Sequence, residues 1–368
     1  MIARRSWLAL LAAAPLGAAA QSGDPYKIGM TYPLTGSLAQ LGHDQIAAAQ
    51  VAVAAVNRAG GVRGHPLALV LEDTQGTPQG GIAAMRKLVQ VDGVQAILTV
   101  FTNVVTAQMP LADQLKIPTL STVQTPGLVS KSAYSFANSL TMPSVTALLQ
   151  RYWRAKDYKR VFAFYGNNAF GLQVAPIAKA DAVAAGVVYD EAFLDLAATD
   201  FRGVITRAKE FAPDALFVYM QGSVAETSTI RQIRELGLTT PIFNASNSFY
   251  DKAWREACGP YAEGMFFTGY NVDPVAGRAF IAAFQSQEGH RPSYQAGELW
   301  EMVQMLAWAI RKNGYDGSAI RDALAGLHGD VPSVFGGSLT MGADHYTVPS
   351  SVALWLVRRG VQVKVPVP

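Results

Sequence analysis

Apolar positions recur along the chain in two alternating rhythms. Short apolar runs at 26–32, 67–71, 96–100 and 118–120 are bounded by turn residues and predict strands. Longer stretches between them carry an apolar stripe at helical spacing. In 45–58 the stripe is Ile46, Ala49, Val53 and Val56. Gly60 and Gly61 close that helix, because glycine takes up the left-handed conformation past a helix end without a steric cost. Thr77 and Pro78 open the next one, with threonine as cap and proline in the first turn. A further helix is predicted from about Val104 to Leu115.

A second cycle starts near residue 143. Strands are predicted at 161–165, 187–193, 215–219 and 241–243. Between them fall a helix at 171–185, one capped by Asp200 with Phe201, Ile205 and Ala208 on a single face, and one around Ile230 and Ile233. Alternating β and α units imply parallel sheets covered by helices on both faces. Two such runs predict an α/β fold with two doubly wound parallel-sheet lobes. Ligands of such sheets bind outside the carboxyl ends of the strands. The tail breaks the rhythm, with one long helix at 298–312 and short β-like pieces at 338–341 and 352–357. No low-complexity linker and no internal repeat interrupts the pattern.

The N-terminus adds a compartment. Arg4 and Arg5 precede an apolar stretch from Trp7 to Leu16, and Ala18, Ala19 and Ala20 supply a small-residue cleavage site before Gln21. This layout predicts a secretory signal peptide over 1–20, through either the general or the twin-arginine route. The apolar stretch is too short to span a bilayer, which takes about 20 residues. Loss of Arg4 and Arg5 lowers the formal charge from +3 to +1, and no Lys/Arg cluster follows. That balance argues against a nucleic-acid partner. About 348 residues remain, more than one ordinary core, so two domains are expected. Cys258 is the only cysteine, so no disulfide forms within the chain, and it is expected to be a small buried apolar residue.

Catalytic signatures are missing. The chain has no G-x-S-x-G elbow, H-E-x-x-H pair, Walker-type loop or C-x-x-C pair. His43, His65, His290, His328 and His345 are scattered without ligand spacing. Gly60 to Gly64 follows a helix rather than a strand, so it reads as a turn and not as a dinucleotide fingerprint. No enzyme activity, metal or cofactor is expected.

An ordered set of short motifs has a familiar look. Ile28-Gly29, Pro33-Leu34-Thr35-Gly36 with Ala39 and Gly42, and Val56-Asn57-Arg58-Ala59-Gly60-Gly61-Val62-Arg63-Gly64 come first. Glu72-Asp73-Thr74 before Pro78, Pro110 before Ile117-Pro118, Asp200-Phe201 and Glu263-Gly264 follow. From about residue 26 to the C-terminus the chain resembles the branched-chain amino-acid-type periplasmic binding proteins. The resemblance implies a type I binding protein of an ABC importer, two lobes joined by three crossovers and closing on one ligand. It implies a first lobe of 26–142 plus 270–335 and a second of 143–269 plus 336–368, with crossovers near 137–141, 268–273 and 331–337.

The resemblance also implies a site. The first lobe would hold the ligand's carboxylate at positions matched by Thr102 and Asn103, then Ser121, Thr122 and Thr125. A helix start suits that task, because it presents free N–H groups and the positive end of its dipole. Capping the helix and shaping a turn are the structural alternatives for these residues, and both are compatible with binding. The second lobe would offer Phe170 before Gly171, then Gln221, Gly222 and Ser223. Leu38 and Leu41 match the positions that touch the ligand's side chain. Ser246 matches a position that often carries a carboxylate for an amino acid's ammonium, and no acid lies between Glu235 and Asp251. Glu226 and Asp273 are the acids that a different loop course would bring to the cleft. An unpaired buried ammonium costs several kcal/mol, so a small organic acid is expected ahead of a zwitterion.

The implied partners are a small-molecule carboxylate or amino acid and a transporter permease, with no nucleic acid, and the protein is expected to be a periplasmic monomer. A sensor of the same fold reporting to a membrane receptor, and a secreted hydrolase with unrecognised residues, are the alternatives.

Overall fold

The computed structural model describes residues 23–35, 39–221, 223–245, 248–347 and 352–367. The expected signal peptide, Leu38, Gly222, Ser246 and Asn247 lie outside the described residues, as does the side chain of Leu41.

Parallel pairing organises the first lobe. Its strands are β1 (Tyr26–Tyr32), β2 (Leu67–Asp73), β3 (Ile97–Thr99), β4 (Thr119–Ser121) and β5 (Ser135–Ala137), in the order β2-β1-β3-β4-β5. All four pairings are parallel. The last five residues of β1 are buried without alternation, the signature of a strand covered on both faces. The cover comes from α1 (Ala39–Arg58), α2 (Pro78–Gln90) and α3 (Thr102–Leu115). At the start of α2 the Thr77 hydroxyl accepts the Gly80 N–H at 3.0 Å, and Pro78 sits in the first turn.

After α4 (Met142–Ala155) the cycle repeats as β6 (Arg160–Gly166), α5 (Ala169–Ala184), β7 (Val188–Leu194), α6 (Arg202–Glu210), β8 (Ala215–Tyr219), α7 (Val224–Glu235), β9 (Ile242–Asn244), α8 (Lys252–Cys258) and β10 (Phe266–Gly269). These strands pair in parallel in the order β10-β9-β8-β6-β7. Phe201 rather than Asp200 occupies the cap of α6, although the Asp200 carboxylate still accepts the Arg202 N–H at 3.1 Å. Cys258 is fully buried.

The chain then returns to the first lobe. α9 (Arg278–Glu288), α10 (Tyr294–Asn313) and α11 (Gly317–Ala325) follow, and α10 lies along α1. β11 (His328–Pro332) and β12 (Ser338–Thr340) make a small antiparallel pair. Its turn passes through Gly336 and Gly337 at φ 101° and 73°, backbone that only glycine adopts freely. These glycines therefore serve a hairpin. Beyond it the chain still bonds to β5, since Ala137 N–H donates to the His345 carbonyl and Thr347 N–H to the Ala137 carbonyl. The chain next pairs with the second sheet at Ala353. The chain is thus still bonded to the first sheet at Thr347 and is paired with the second at Ala353.

β13 (Ala353–Arg358) and β14 (Val361–Val365) add to β10 as an antiparallel hairpin, so the second sheet is mixed rather than wholly parallel. The two residues between them, Arg359 and Gly360, have φ 53° and 71°. Positive φ at both loop positions is the turn geometry that matches the twist of a tight hairpin. Among the described residues no helix is long and apolar enough to cross a membrane.

Candidate functional site

The carboxyl ends of β3 and β8 face each other across the cleft. Each strand is followed by a non-glycine residue at positive φ, Phe101 at 67° and Gln221 at 58°. Side chains rarely adopt that backbone, and such strain collects at ligand sites. Both residues line the cavity between the lobes. The lobes are shut over it: the Tyr219 hydroxyl of β8 donates to Gln124 Oε1, which follows β4, and α3 packs on α5.

The cavity has two compartments. The inner one, of about 40 Å³, is polar and is lined by Thr102, Thr122, Gln124, Tyr219 and Tyr294. One ordered water needs roughly 10–15 Å³, so this space suits a small head group. The outer one, of about 450 Å³, is lined largely by apolar groups, among them Leu196, Val224, Ala253 and Trp254. Phe101, Thr102, Phe170 and Gln221 border both.

Among the described residues five helices begin at this cavity, α3, α5, α7, α8 and α10, and only α3 lacks a side-chain cap. Asn168 accepts the Gly171 N–H at 2.9 Å at the start of α5. Ser223 accepts the Glu226 N–H at 3.2 Å at the start of α7. No side chain caps α3. Thr102 and Asn103, its first two residues, are not caps, and the Asn103 amide is spent on the Gly76 carbonyl at 2.9 Å. The first N–H groups of α3 therefore remain for whatever occupies the inner compartment. Gly171 is required by packing, because a Cβ there would lie 2.0 Å from the Gly166 carbonyl oxygen. That close approach sets the start of α5 on β6 and presents Phe170, whose ring meets Tyr219 edge-on at 5.1 Å.

No Lys, Arg or His is among the described lining residues. The acids have separate tasks. Glu226 is fully buried and accepts Met220 N–H at 2.7 Å and Trp254 Nε1–H at 2.8 Å. It braces the Trp254 ring and is not among the lining residues. Asp273 accepts the N–H groups of Val275 and Ala276, both at 2.8 Å, which holds its carboxyl below the usual range. Asp251 does reach the outer compartment. Burial raises its carboxyl, while the Trp254 N–H at 2.9 Å pulls it back.

Of the twelve positions singled out in the sequence, Thr102, Asn103, Thr122, Phe170, Gln221 and Ser223 border the cavity. Ser121 is buried and donates to the Phe136 carbonyl at 3.2 Å. The Thr125 hydroxyl is buried without a partner, and its carbonyl takes the Tyr346 hydroxyl. Neither of these two is among the described lining residues. Leu38, Gly222, Ser246 and the side chain of Leu41 lie outside what is described. The sequence reading passed over Gln124, Tyr219, Tyr294, Trp254 and Asp251. Tyr219 ends a strand whose carboxyl end faces the cleft, which was a usable signal.

Two α/β lobes with a cavity between their strand ends offer the concave, largely apolar space that small-molecule sites occupy. The chain belongs to the periplasmic binding protein family, whose sequence profile matches residues 25–358. It is 25% identical over 326 residues to Leu/Ile/Val-binding protein homolog 3 of Brucella melitensis, across 85% of this chain and 86% of that protein. Among solved structures, LivJ of Streptococcus pneumoniae, a branched-chain amino acid transporter substrate binding protein in complex with isoleucine, superposes with a TM-score of 0.81 at 23% identity. The two match over 93% of this chain and 100% of that one. A solute binding protein of an R. palustris ABC transporter in complex with benzoate gives a TM-score of 0.81 at 18% identity, over 93% and 95% of the two chains. Its fold is that of these solved binding proteins, the type I arrangement of two lobes joined by three crossovers.

Proposed function

We propose that the protein captures a small organic carboxylate with an apolar body and delivers it to the permease of an ABC importer. The uncapped start of α3 in the inner compartment carries this reading. Its N–H groups and the hydroxyls of Thr102 and Thr122 receive the carboxylate. Phe170 and the outer compartment receive the body, with Asn103, Gln221 and Ser223 at its edge. The benzoate held by the R. palustris protein has this chemistry. The protein acts as a periplasmic monomer, exported with loss of its signal peptide, and binds without turnover, cofactor or nucleic acid. Its lobes divide at the crossings near 137–141, 268–273 and 347–353.

Asp251 supports a second reading, a zwitterionic amino acid whose ammonium meets that carboxylate. The isoleucine of LivJ and the names of the relatives favour it. Calorimetry with leucine, its 2-oxo acid and benzoate separates the two. The acid reading expects the 2-oxo acid or benzoate to bind more tightly than leucine. Tighter binding of leucine than of both acids assigns the site to amino acids.

A further inference from the structure

α10 turns two carboxyls inward one turn apart, Glu298 and Glu301, and both are buried almost completely. No cationic side chain is among the groups that act on either. A buried pair without a counter-ion is costly to keep, so its partners matter. They sit on the segments that join the lobes.

Glu301 Oε2 accepts from Asn138 Nδ2 at 2.9 Å, and the Glu298 carbonyl accepts from the same amide at 3.1 Å. Asn138 belongs to the first crossover, between β5 and α4. Its own Oδ1 accepts the Thr347 hydroxyl at 2.7 Å, where the third crossover leaves the first lobe. Tyr270 follows β10 in the second crossover and donates its hydroxyl to Glu298 Oε1 at 2.5 Å. Gly269, just before it, has φ 144°, a backbone conformation that glycine adopts more readily than any other residue. The Ser333 hydroxyl at 2.6 Å and the Val334 N–H at 2.8 Å fix Glu301 Oε1 to the β11–β12 turn. One helix of the first lobe thus reaches all three crossovers through a single hydrogen-bond network. The same helix begins at Tyr294 on the cavity wall.

We propose that Glu298 and Glu301 form a hinge latch, holding the three crossovers in the arrangement that keeps the lobes shut. The latch sets the fraction of molecules closed before ligand arrives. That fraction multiplies the intrinsic affinity, so weakening the latch weakens binding without touching the cavity.

Small-angle scattering of the ligand-free mature protein reads the latch directly. Tyr270→Phe removes one hydroxyl, and Glu301→Gln keeps the shape of the side chain while weakening it as an acceptor. Both variants are expected to show a larger radius of gyration than the natural protein when free. The dissociation constant for benzoate is expected to rise about tenfold, the consequence of a tenfold smaller closed population. Free-state scattering that matches the natural protein in both variants, even with a lower melting temperature, overturns the latch and leaves the carboxyls as core stabilisers. If Glu301→Gln does not fold, Tyr270→Phe decides by the same reading. The benzoate arm rests on the proposed ligand class. Failure of benzoate to bind the natural protein removes that class, and the latch is still judged by free-state scattering.

Discussion

Raising the pH should loosen the fold through Glu298 and Glu301. Burial pushes the Glu298 carboxyl up to about 8, with the Tyr270 hydroxyl pulling the other way. Burial likewise pushes Glu301 up to about 7, against the donors from Ser333 and Asn138. The groups around them, Tyr32, Tyr219, Tyr270 and Tyr294, are themselves raised by burial and stay neutral. In the unfolded chain both carboxyls ionise near 4.5. Across neutral pH the folded state therefore holds protons that the unfolded state has released, and stability falls as pH rises through the folded values. For Glu298 alone, the interval from pH 6 to 9 covers roughly two units, or about 3 kcal/mol at about 1.4 kcal/mol per unit. That is a large share of a typical stability of about 5–15 kcal/mol. Urea unfolding at pH 6, 7.5 and 9 checks it. With a denaturant slope near 3 kcal/mol per molar, the midpoint should drop by about 1 M across the series. Glu298→Gln should flatten the dependence, leaving the smaller share from Glu301. A midpoint that stays constant or rises in the natural protein refutes the reasoning, as does an unchanged slope in the variant.

Two substitutions test the walls of the site. Gly171→Ala places a Cβ 2.0 Å from the Gly166 carbonyl oxygen, so α5 must shift and carry Phe170 with it. The expected loss is about 1–3 kcal/mol by urea unfolding, together with weaker ligand binding, and a variant as stable as the natural protein contradicts the packing argument. Trp254→Phe removes the indole donor to Glu226 and leaves a fully buried carboxylate short of one bond. It should cost about 1–3 kcal/mol, again read by urea unfolding, and no measurable loss would mean that Glu226 finds another donor.

The rhythm of the chain foretold most of the architecture. The runs at 26–32 and 215–219 coincide with β1 and β8, because buried parallel strands show as short unbroken apolar runs. The tail was harder. β11 and β14 are exposed over most of their length and carry polar residues, so they leave little apolar signal. Gly336 and Gly337 turn a hairpin, and the hydrogen bonds of Ala137 tie the chain beyond it to β5.

For the site, the family resemblance pointed to Thr102, Thr122, Phe170 and Gln221, and a helix start or loop after a strand gave the first two a physical reason. Whether α3 is capped could not be read from residue types, since Thr102 and Asn103 are both good caps and neither serves as one. Asp251 escaped notice because its place in the cavity depends on the path of the chain after β9, which no local pattern specifies. Nothing in the local sequence marks Glu298 and Glu301 as buried, and only three-dimensional contact reveals their partners.

Mass spectrometry of the protein purified from its native periplasm, sprayed intact and then unfolded to release its cargo, tests the central claim most directly. A carboxylic acid with an apolar or aromatic body, bound one per chain and lost on unfolding, is the predicted result. A released ligand that lacks a carboxylate contradicts the assignment of the inner compartment and the start of α3 as an acid-binding site.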